Sequence, residues 1–208
     1  KRQEIESLSY EDLADPKWKG RVVIRSSSNM YNQSLVASLI SNLGEEKTES
    51  WAKNFVNNFA RNPQGNDRSQ IIAVANGEAD VAVANSYYIG IMLSGSAGED
   101  QLTAAKKVRM LFPNQNDRGA HINISGAGIL KNAPNPGNAN LFLEFLLSKK
   151  VQKNMVDKSY EYPILEDIEP SKEIASFGTK FVQDQISVRQ FGELNPKAVR
   201  LMDRSGWK

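Results

Sequence analysis

Apolar residues recur along this chain with two different periods, and each change of period marks a predicted element. β-branched runs at residues 21–25 and 81–84 predict buried strands. Apolar residues spaced three and four apart predict a helix over residues 35–43, which Gly44 is expected to end. The same spacing predicts a second amphipathic helix over residues 45–61.

The second half of the chain continues this alternation. A short run at residues 108–112 and a strict apolar–polar alternation at 120–125 predict two more strands. Helices are predicted over residues 138–147, from Ser148 onward, and over 195–204, where a proline occupies the first turn. Strands that alternate with helices predict an α/β fold with a parallel sheet.

The first two predicted strands each run into a polar turn that carries tyrosine. The serine turn at residues 26–28 is followed by Tyr31. The dipeptide at 85–86 can cap a helix that begins with Tyr87 and Tyr88. Ligands of open α/β sheets bind at the carboxyl ends of the strands, so these turns form the candidate site.

The chemistry of this candidate site allows more than one interpretation. Phenolate is a hard oxygen donor that suits a hard cation such as ferric iron, which would hold the phenol deprotonated at neutral pH. A tyrosine pair also occurs commonly as ordinary packing. The serine hydroxyls and free N–H groups at the first turn could instead bind an oxyanion or simply cap the helix.

Composition narrows the choice of function. The 208 residues include 26 Lys and Arg against 24 Asp and Glu, which does not suggest nucleic acid or an acidic membrane as a partner. The chain has no cysteine and one histidine, His121, which excludes thiolate sites, disulfides and a multi-histidine zinc site. It has no G-x-S-x-G turn, so we do not expect an enzyme of the α/β-hydrolase type.

Four stretches of the chain together resemble the ferric-ion-binding subclass of periplasmic solute-binding proteins, the capture component of bacterial iron ABC transporters. These stretches are LADPKWKGRVVI (13–24), NGEADVAVANSYY (76–88), GAHINISGAGILKNAPN (119–135) and NLFLEFLLSKKVQ (140–152). The resemblance implies a binding protein and not an enzyme, with Fe(III) as the transported ligand.

The resemblance also implies the metal ligands. In that family the paired tyrosines bind iron, which corresponds to Tyr87 and Tyr88 here. The tyrosine-rich branch found in cyanobacteria adds a phenolate from the serine-rich turn, and Tyr31 matches it. The other branch uses a phosphate-like anion, but Asp67, expected here as a helix cap, replaces an amide and would repel a phosphate. The alternative function is a solute-binding protein for an oxyanion or a small organic ligand.

The fold implied by the resemblance is the two-lobe periplasmic solute-binding fold (α/β, type II, transferrin-like), with the first lobe incomplete. Residues 1–112 and 175–208 are expected to form the second lobe, and 113–174 to cross to the first. A missing N-terminal segment is expected to complete the first lobe and to cover an exposed face of the crossing stretch. The expected partners are an iron ion and an inner-membrane ABC permease, and the protein is expected to be a periplasmic monomer.

The remaining iron ligand, a tyrosine or histidine, is expected from the absent segment. His121 is an alternative source of that ligand, because its predicted strand lies near the expected crossing between the lobes. We expect a structural role for His121.

Overall fold

The computed structural model describes residue 5 and residues 7–208. Two short 3-10 helices, Glu11–Ala14 and Pro16–Trp18, come first. The α-helices that follow are α1 (Met30–Leu43), α2 (Glu45–Asn57), α3 (Asp67–Ala75), α4 (Ser86–Leu93), α5 (Glu99–Ala105), α6 (Pro136–Leu146), α7 (Lys149–Ser159), α8 (Lys172–Ala175) and α9 (Val188–Arg204). No helix in this part of the chain is both long and apolar enough to cross a membrane.

The two strands β1 (Val22–Val23) and β2 (Val81–Ala82) pair in parallel, as predicted. Val22 lies opposite Val81, and an isolated parallel bridge joins Val22 to Phe59 on the other side. Both residues of β1 are buried, which is the position that its β-branched sequence favours.

One apolar cluster packs the N-terminal region against the C-terminal helix. Helices α1, α2 and α9 surround the buried rings of Trp18, Phe55 and Trp207. The Phe55 ring lies 4.7 Å from Trp51 and 5.3 Å from Trp207, measured between ring centroids. The helix predicted to follow the serine turn therefore supplies its apolar face to this cluster.

A second apolar cluster lies under helices α3, α4 and α5. Its buried residues include Ile71, Ile89, Met92 and Ala105. Ile174 of α8 completes it from the later part of the chain. Helices α1 and α4, which carry the candidate tyrosines, thus belong to different clusters.

Several predicted helix boundaries are confirmed. Helix α1 ends at Gly44, whose φ of 84° lies in the left-handed region that favours glycine. Ser148 stands at the N-cap of α7, as expected. Helix α2 ends at Asn57, four residues before the predicted end. The next residue, Asn58, donates side-chain hydrogen bonds to the Leu13 and Asp15 carbonyl oxygens, each at 2.8 Å, and these contacts hold the chain in a non-helical turn.

Helices α1, α3, α4, α6 and α9 begin earlier than the sequence predicts, and α3 and α9 show the reasons. Asp67 is the first residue of α3, and Asn66 caps that helix through a hydrogen bond from the Ser69 N–H. Helix α9 begins at Val188 and contains Pro196 in its interior. Proline cannot donate the hydrogen bond that this position requires. The helix continues because its apolar face packs on α1 in the first cluster.

The strands predicted at residues 108–112 and 120–125 do not form. Among the described residues, the backbone pairing within 120–125 is a single bridge from Ala120 to Gln183. Ala120 is buried but Ile124 is 58% exposed, so the apolar side of the alternation leaves the core along the segment. A strand needs neighbouring backbone as a partner, and local alternation cannot supply that partner.

Helix α6 presents an apolar face that nothing in the described structure covers. Its Leu141, Phe142 and Phe145 side chains are 64%, 58% and 56% exposed. Helix α6 has no buried residue. Exposed apolar patches of this kind mark surfaces that pack against another segment or molecule.

Candidate metal centre

The structure brings the tyrosines of the two polar turns together. Tyr31 lies on the first turn of α1, and Tyr87 and Tyr88 lie on the first turn of α4. The Tyr31 and Tyr87 hydroxyl oxygens are 3.2 Å apart, although 56 residues separate them. The Tyr87 and Tyr88 rings lie 4.1 Å apart at 30° to each other. Tyr88 also packs against the second cluster, so its ring contributes to ordinary packing as well, which was the alternative to metal binding for the tyrosine pair.

Side-chain hydrogen bonds fix the serine turn that places Tyr31. Asn29 caps α1 by accepting hydrogen bonds from the Tyr31 and Asn32 N–H groups, at 3.1 and 3.4 Å. The Asn32 amide donates to the Arg25 and Ser26 carbonyl oxygens. The first turn of α1 is therefore tied to the end of β1.

The same contacts bear on the oxyanion alternative. The Ser26 hydroxyl lies 3.1 Å from the Ser28 hydroxyl and accepts a hydrogen bond from the Ser28 N–H at 3.2 Å. The N–H groups of Tyr31 and Asn32 are already paired with Asn29. An oxyanion at a helix start needs free N–H groups, and the N–H groups of Ser28, Tyr31 and Asn32 are engaged within the turn.

A buried carboxylate connects β1 to the start of α4. Asp67 is 2% exposed; its Oδ2 lies 2.7 Å from Arg25 Nη1, and its Oδ1 accepts a hydrogen bond from the Asn85 N–H at 2.9 Å. Asn66 and not Asp67 caps α3, which corrects the expected capping role of Asp67. Its charge is matched by Arg25, and each oxygen is engaged inside the protein.

Arg25 joins this carboxylate to the tyrosine pair. Burial by itself lowers the pKa of the Arg25 guanidinium, but the hydrogen bond and charge of Asp67, together with Tyr88, raise that pKa above its usual value. A cation is thus held permanently beside Tyr88 and Asp67. Sequence reasoning missed this role of Arg25, because the residue reads simply as the end of a strand.

The surroundings of Tyr87 favour its neutral phenol form. Burial raises the pKa of the Tyr87 phenol, and its hydrogen bonds to Tyr31 and Tyr88 raise it further. Only a strong positive charge can hold such a group as phenolate at neutral pH. Within the described part of the chain, no group of three or more His, Asp or Glu side chains could hold a metal ion. The phenol oxygens are therefore the candidate anionic donors.

The tyrosines face an open cavity of about 800 Å³. Tyr31 and Tyr87 form part of its wall, and residues 120–125 and 161–164 form another part. The cavity is large enough for an ion together with the side chains that would enclose it.

His121 lies in the cavity wall with the contacts of a packing residue. Its Nε2 lies 2.9 Å from the Ser34 hydroxyl, and its ring packs edge-on against Phe191 at 4.9 Å. Its Nδ1 is buried and has no hydrogen-bond partner among the described residues. Burial lowers the pKa of His121 to about 4, although the charge of Asp184 opposes this shift.

The lowered pKa of His121 predicts a pH dependence of stability. An unfolded histidine titrates near pH ~6.5, so between pH 6.5 and 4 the unfolded chain binds a proton that the folded chain does not. The free energy of unfolding should therefore fall as the pH falls through this window, by up to roughly 3 kcal/mol in total. Urea unfolding at pH 7, 6 and 5 measures this slope. His121→Gln should flatten it, and equal slopes in the two proteins would contradict the prediction.

Comparison with known proteins identifies relatives over most of the chain. The sequence model of the family described as bacterial extracellular solute-binding protein matches residues 4–182. Iron uptake protein A1 of Synechocystis sp. strain PCC 6803 is 52% identical over 203 residues, which is 98% of this chain and 56% of that protein.

Solved structures show the same fold. The structure of Trichodesmium IdiA (FutA) in complex with iron and citrate superposes with a TM-score of 0.94 at 50% identity, covering all of this chain and 66% of that one. Apo FutA2 from Synechocystis PCC 6803 superposes with a TM-score of 0.91 at 43% identity, covering 98% of this chain and 64% of that one. The chain thus spans about 56–66% of the length of these relatives.

Proposed function

This chain belongs to the bacterial extracellular solute-binding proteins, and on that premise we propose that it captures Fe(III) for a bacterial iron ABC transporter. The observation that carries the proposal is the meeting of Tyr31 with Tyr87 at the wall of one cavity, with the Tyr88 ring packed against Tyr87. The names of its relatives, which include an iron uptake protein and a structure holding iron and citrate, support the choice of metal.

In this proposal the three tyrosines bind the metal as phenolates. Three phenolate charges offset the +3 charge of the ion, so the site needs no carboxylate cluster. Each phenol loses its proton on binding, which makes affinity dependent on pH. The part of the relatives' length that this chain does not span would supply the remaining ligand and close over the ion by a hinge.

The proposed organisation has two lobes. Residues 1–112 and 175–208 would form one lobe, which the packing of α9 on α1 and α2 supports. Residues 113–174 would cross to the other lobe, which an additional N-terminal segment would complete. The protein would work as a monomer in the periplasm and deliver iron to an inner-membrane ABC permease; one relative is named an Fe(3+)-binding periplasmic protein.

The exposed face of α6 provides a test of that organisation. In a chain extended to the length of its relatives, the double variant Phe142→Ser, Phe145→Ser should lose about 3–6 kcal/mol of stability, because both rings would then be buried. In the 208-residue chain the same variant should change stability by less than ~0.5 kcal/mol, since both rings are more than half exposed.

Denaturant unfolding of both chains measures this difference. Val199→Ser on α9, where the side chain is 41% exposed, is the matched control and should behave alike in both chains. Equal effects of the α6 double variant in the two chains would show that no added segment covers this face.

A visible absorption titration with ferric citrate tests the function itself. Phenolate bound to ferric iron gives a charge-transfer band, so the extended chain should turn red-orange and saturate at one iron per chain. A band in the extended chain but not in the 208-residue chain would mean that the site needs both lobes. Absence of a band in both, with binding of phosphate or sulfate detected by calorimetry, would replace the proposal with the oxyanion function.

A further inference from the structure

The spacing of the two tyrosine-bearing turns is not set by core packing alone. Helix α1 packs in the first apolar cluster and α4 in the second. The pairing of β1 with β2 aligns the two strands that lead into these turns. Beyond that pairing, the distance between Tyr31 and Tyr87 depends on contacts that connect the two helix starts. The Asp67 carboxylate is one such connection, on the buried side.

A second connection lies on the cavity side and passes through Asn123. The Ser34 hydroxyl, one turn along α1 from Tyr31, lies 2.6 Å from Asn123 Oδ1. The Asn123 amide nitrogen donates to Asn85 Oδ1 at 3.0 Å. Asn85 is the N-cap of α4, two residues before Tyr87. One asparagine side chain therefore spans from α1 to α4.

The hydrogen positions in this connection are determined by elimination. Asn123 donates to Asn85 through its nitrogen, so its oxygen faces Ser34 and can only accept. The Ser34 hydroxyl has two acceptors within range, Asn123 Oδ1 at 2.6 Å and the Tyr31 carbonyl oxygen at 3.1 Å, and the shorter contact assigns its single hydrogen to Asn123. His121 Nε2, at 2.9 Å from the same hydroxyl, must then carry the hydrogen and donate it. Every donor in the chain from His121 to Asn85 has an acceptor.

Asn85 gives up a local role to take part. Asparagine at an N-cap normally accepts a hydrogen bond from the second or third N–H of the helix, which contributes about 1 kcal/mol. The Asn85 side chain makes no such cap hydrogen bond, and its oxygen accepts from Asn123 instead. The Asn85 oxygen thus contributes to the connection between α1 and α4 instead of stabilising the helix end.

We propose that Asn123 is a positioning residue of the iron site, which holds the first turns of α1 and α4 at the spacing that lets Tyr31 and Tyr87 share one ion. This inference rests on the proposed function. The hydrogen-bond partners of the Asn123 side chain are Ser34 and Asn85, so it acts on the two phenols through these residues. Because Asn123 is exposed to the cavity, its loss leaves both apolar clusters intact.

The test combines ferric binding with a measurement that needs no iron. In the extended chain, Asn123→Ala should weaken Fe(III) binding about tenfold, which corresponds to ~1.4 kcal/mol, and should shift the charge-transfer band. Ser34→Ala should cause a similar loss, and the double variant should lose no more than either single variant. Ser34→Thr, which keeps the hydroxyl, should retain the original affinity.

A crystal structure of apo Asn123→Ala separates this inference from the proposed function. The Tyr31–Tyr87 oxygen distance, 3.2 Å in the present structure, should lengthen beyond hydrogen-bonding range. Asn132→Ala, in the exposed loop of the same segment, is the matched control and should change neither distance nor affinity. An unchanged distance and unchanged affinity in Asn123→Ala would overturn the positioning role, whereas absence of iron binding by the unsubstituted chain would overturn the function.

Discussion

Replacing Tyr87 with phenylalanine is expected to lower the affinity for Fe(III) by more than ~100-fold, since even the loss of an outer hydrogen-bond partner costs 10–100-fold at metal sites. The substitution removes one phenolate donor and the 3.2 Å contact with Tyr31. It keeps the ring that packs 4.1 Å from Tyr88, so the fold should survive. Tyr88→Phe is expected to have an effect of the same size.

The measurement is a competition titration against citrate, followed at the charge-transfer band. Tyr160→Phe is the matched control, because Tyr160 packs against the second cluster and is not among the residues that line the cavity. That variant should keep the band and the affinity. Ferric affinity that stays at the original value in both Tyr87→Phe and Tyr88→Phe would remove the tyrosines from the site.

Replacing Asp67 with alanine is expected to lower the free energy of unfolding by about 2–4 kcal/mol, somewhat less than breaking a fully buried ion pair from one side, because the Arg25 side chain is 23% exposed. The variant leaves the Arg25 guanidinium without its 2.7 Å partner and the Asn85 N–H without an acceptor. Since Asp67 is 2% exposed, water cannot readily replace the lost carboxylate.

Urea unfolding at pH 7 measures this loss. Asp157→Ala removes a carboxylate from the Lys153–Asp157 pair on α7, where both side chains are about half exposed. This control should cost no more than ~0.5 kcal/mol. Similar losses in the two variants would mean that the Asp67–Arg25 pair contributes no more than a surface pair.

Local signals predicted most of the helices. Gly44 ends α1 because glycine accepts the left-handed backbone there without a side-chain clash. Ser148 precedes α7 for the ordinary reason that its extended backbone suits an N-cap. These features depend on a few neighbouring residues, so they can be recognised without the rest of the molecule.

Predictions failed where a distant segment decided the outcome. The alternation at residues 120–125 predicted a strand, but only Ala120 finds a backbone partner among the described residues, across 63 positions at Gln183. Pro196 predicted a helix start, but the packing of α9 on α1 extends the helix past it. In both cases the local sequence favoured one structure, and tertiary contacts determined a different one.

The candidate site divides in the same way. The sequence by itself identified Tyr31, Tyr87 and Tyr88 as phenols at the starts of two helices, because strand, polar turn and helix signals are all local. It could not identify the role of Asn123 or the ion pair of Asp67, because the residues that these side chains contact are distant in the sequence and no local pattern indicates them. Only the tertiary structure decided that two turns 56 residues apart meet within 3.2 Å, because hydrogen bonds between side chains require a folded backbone to bring them into range.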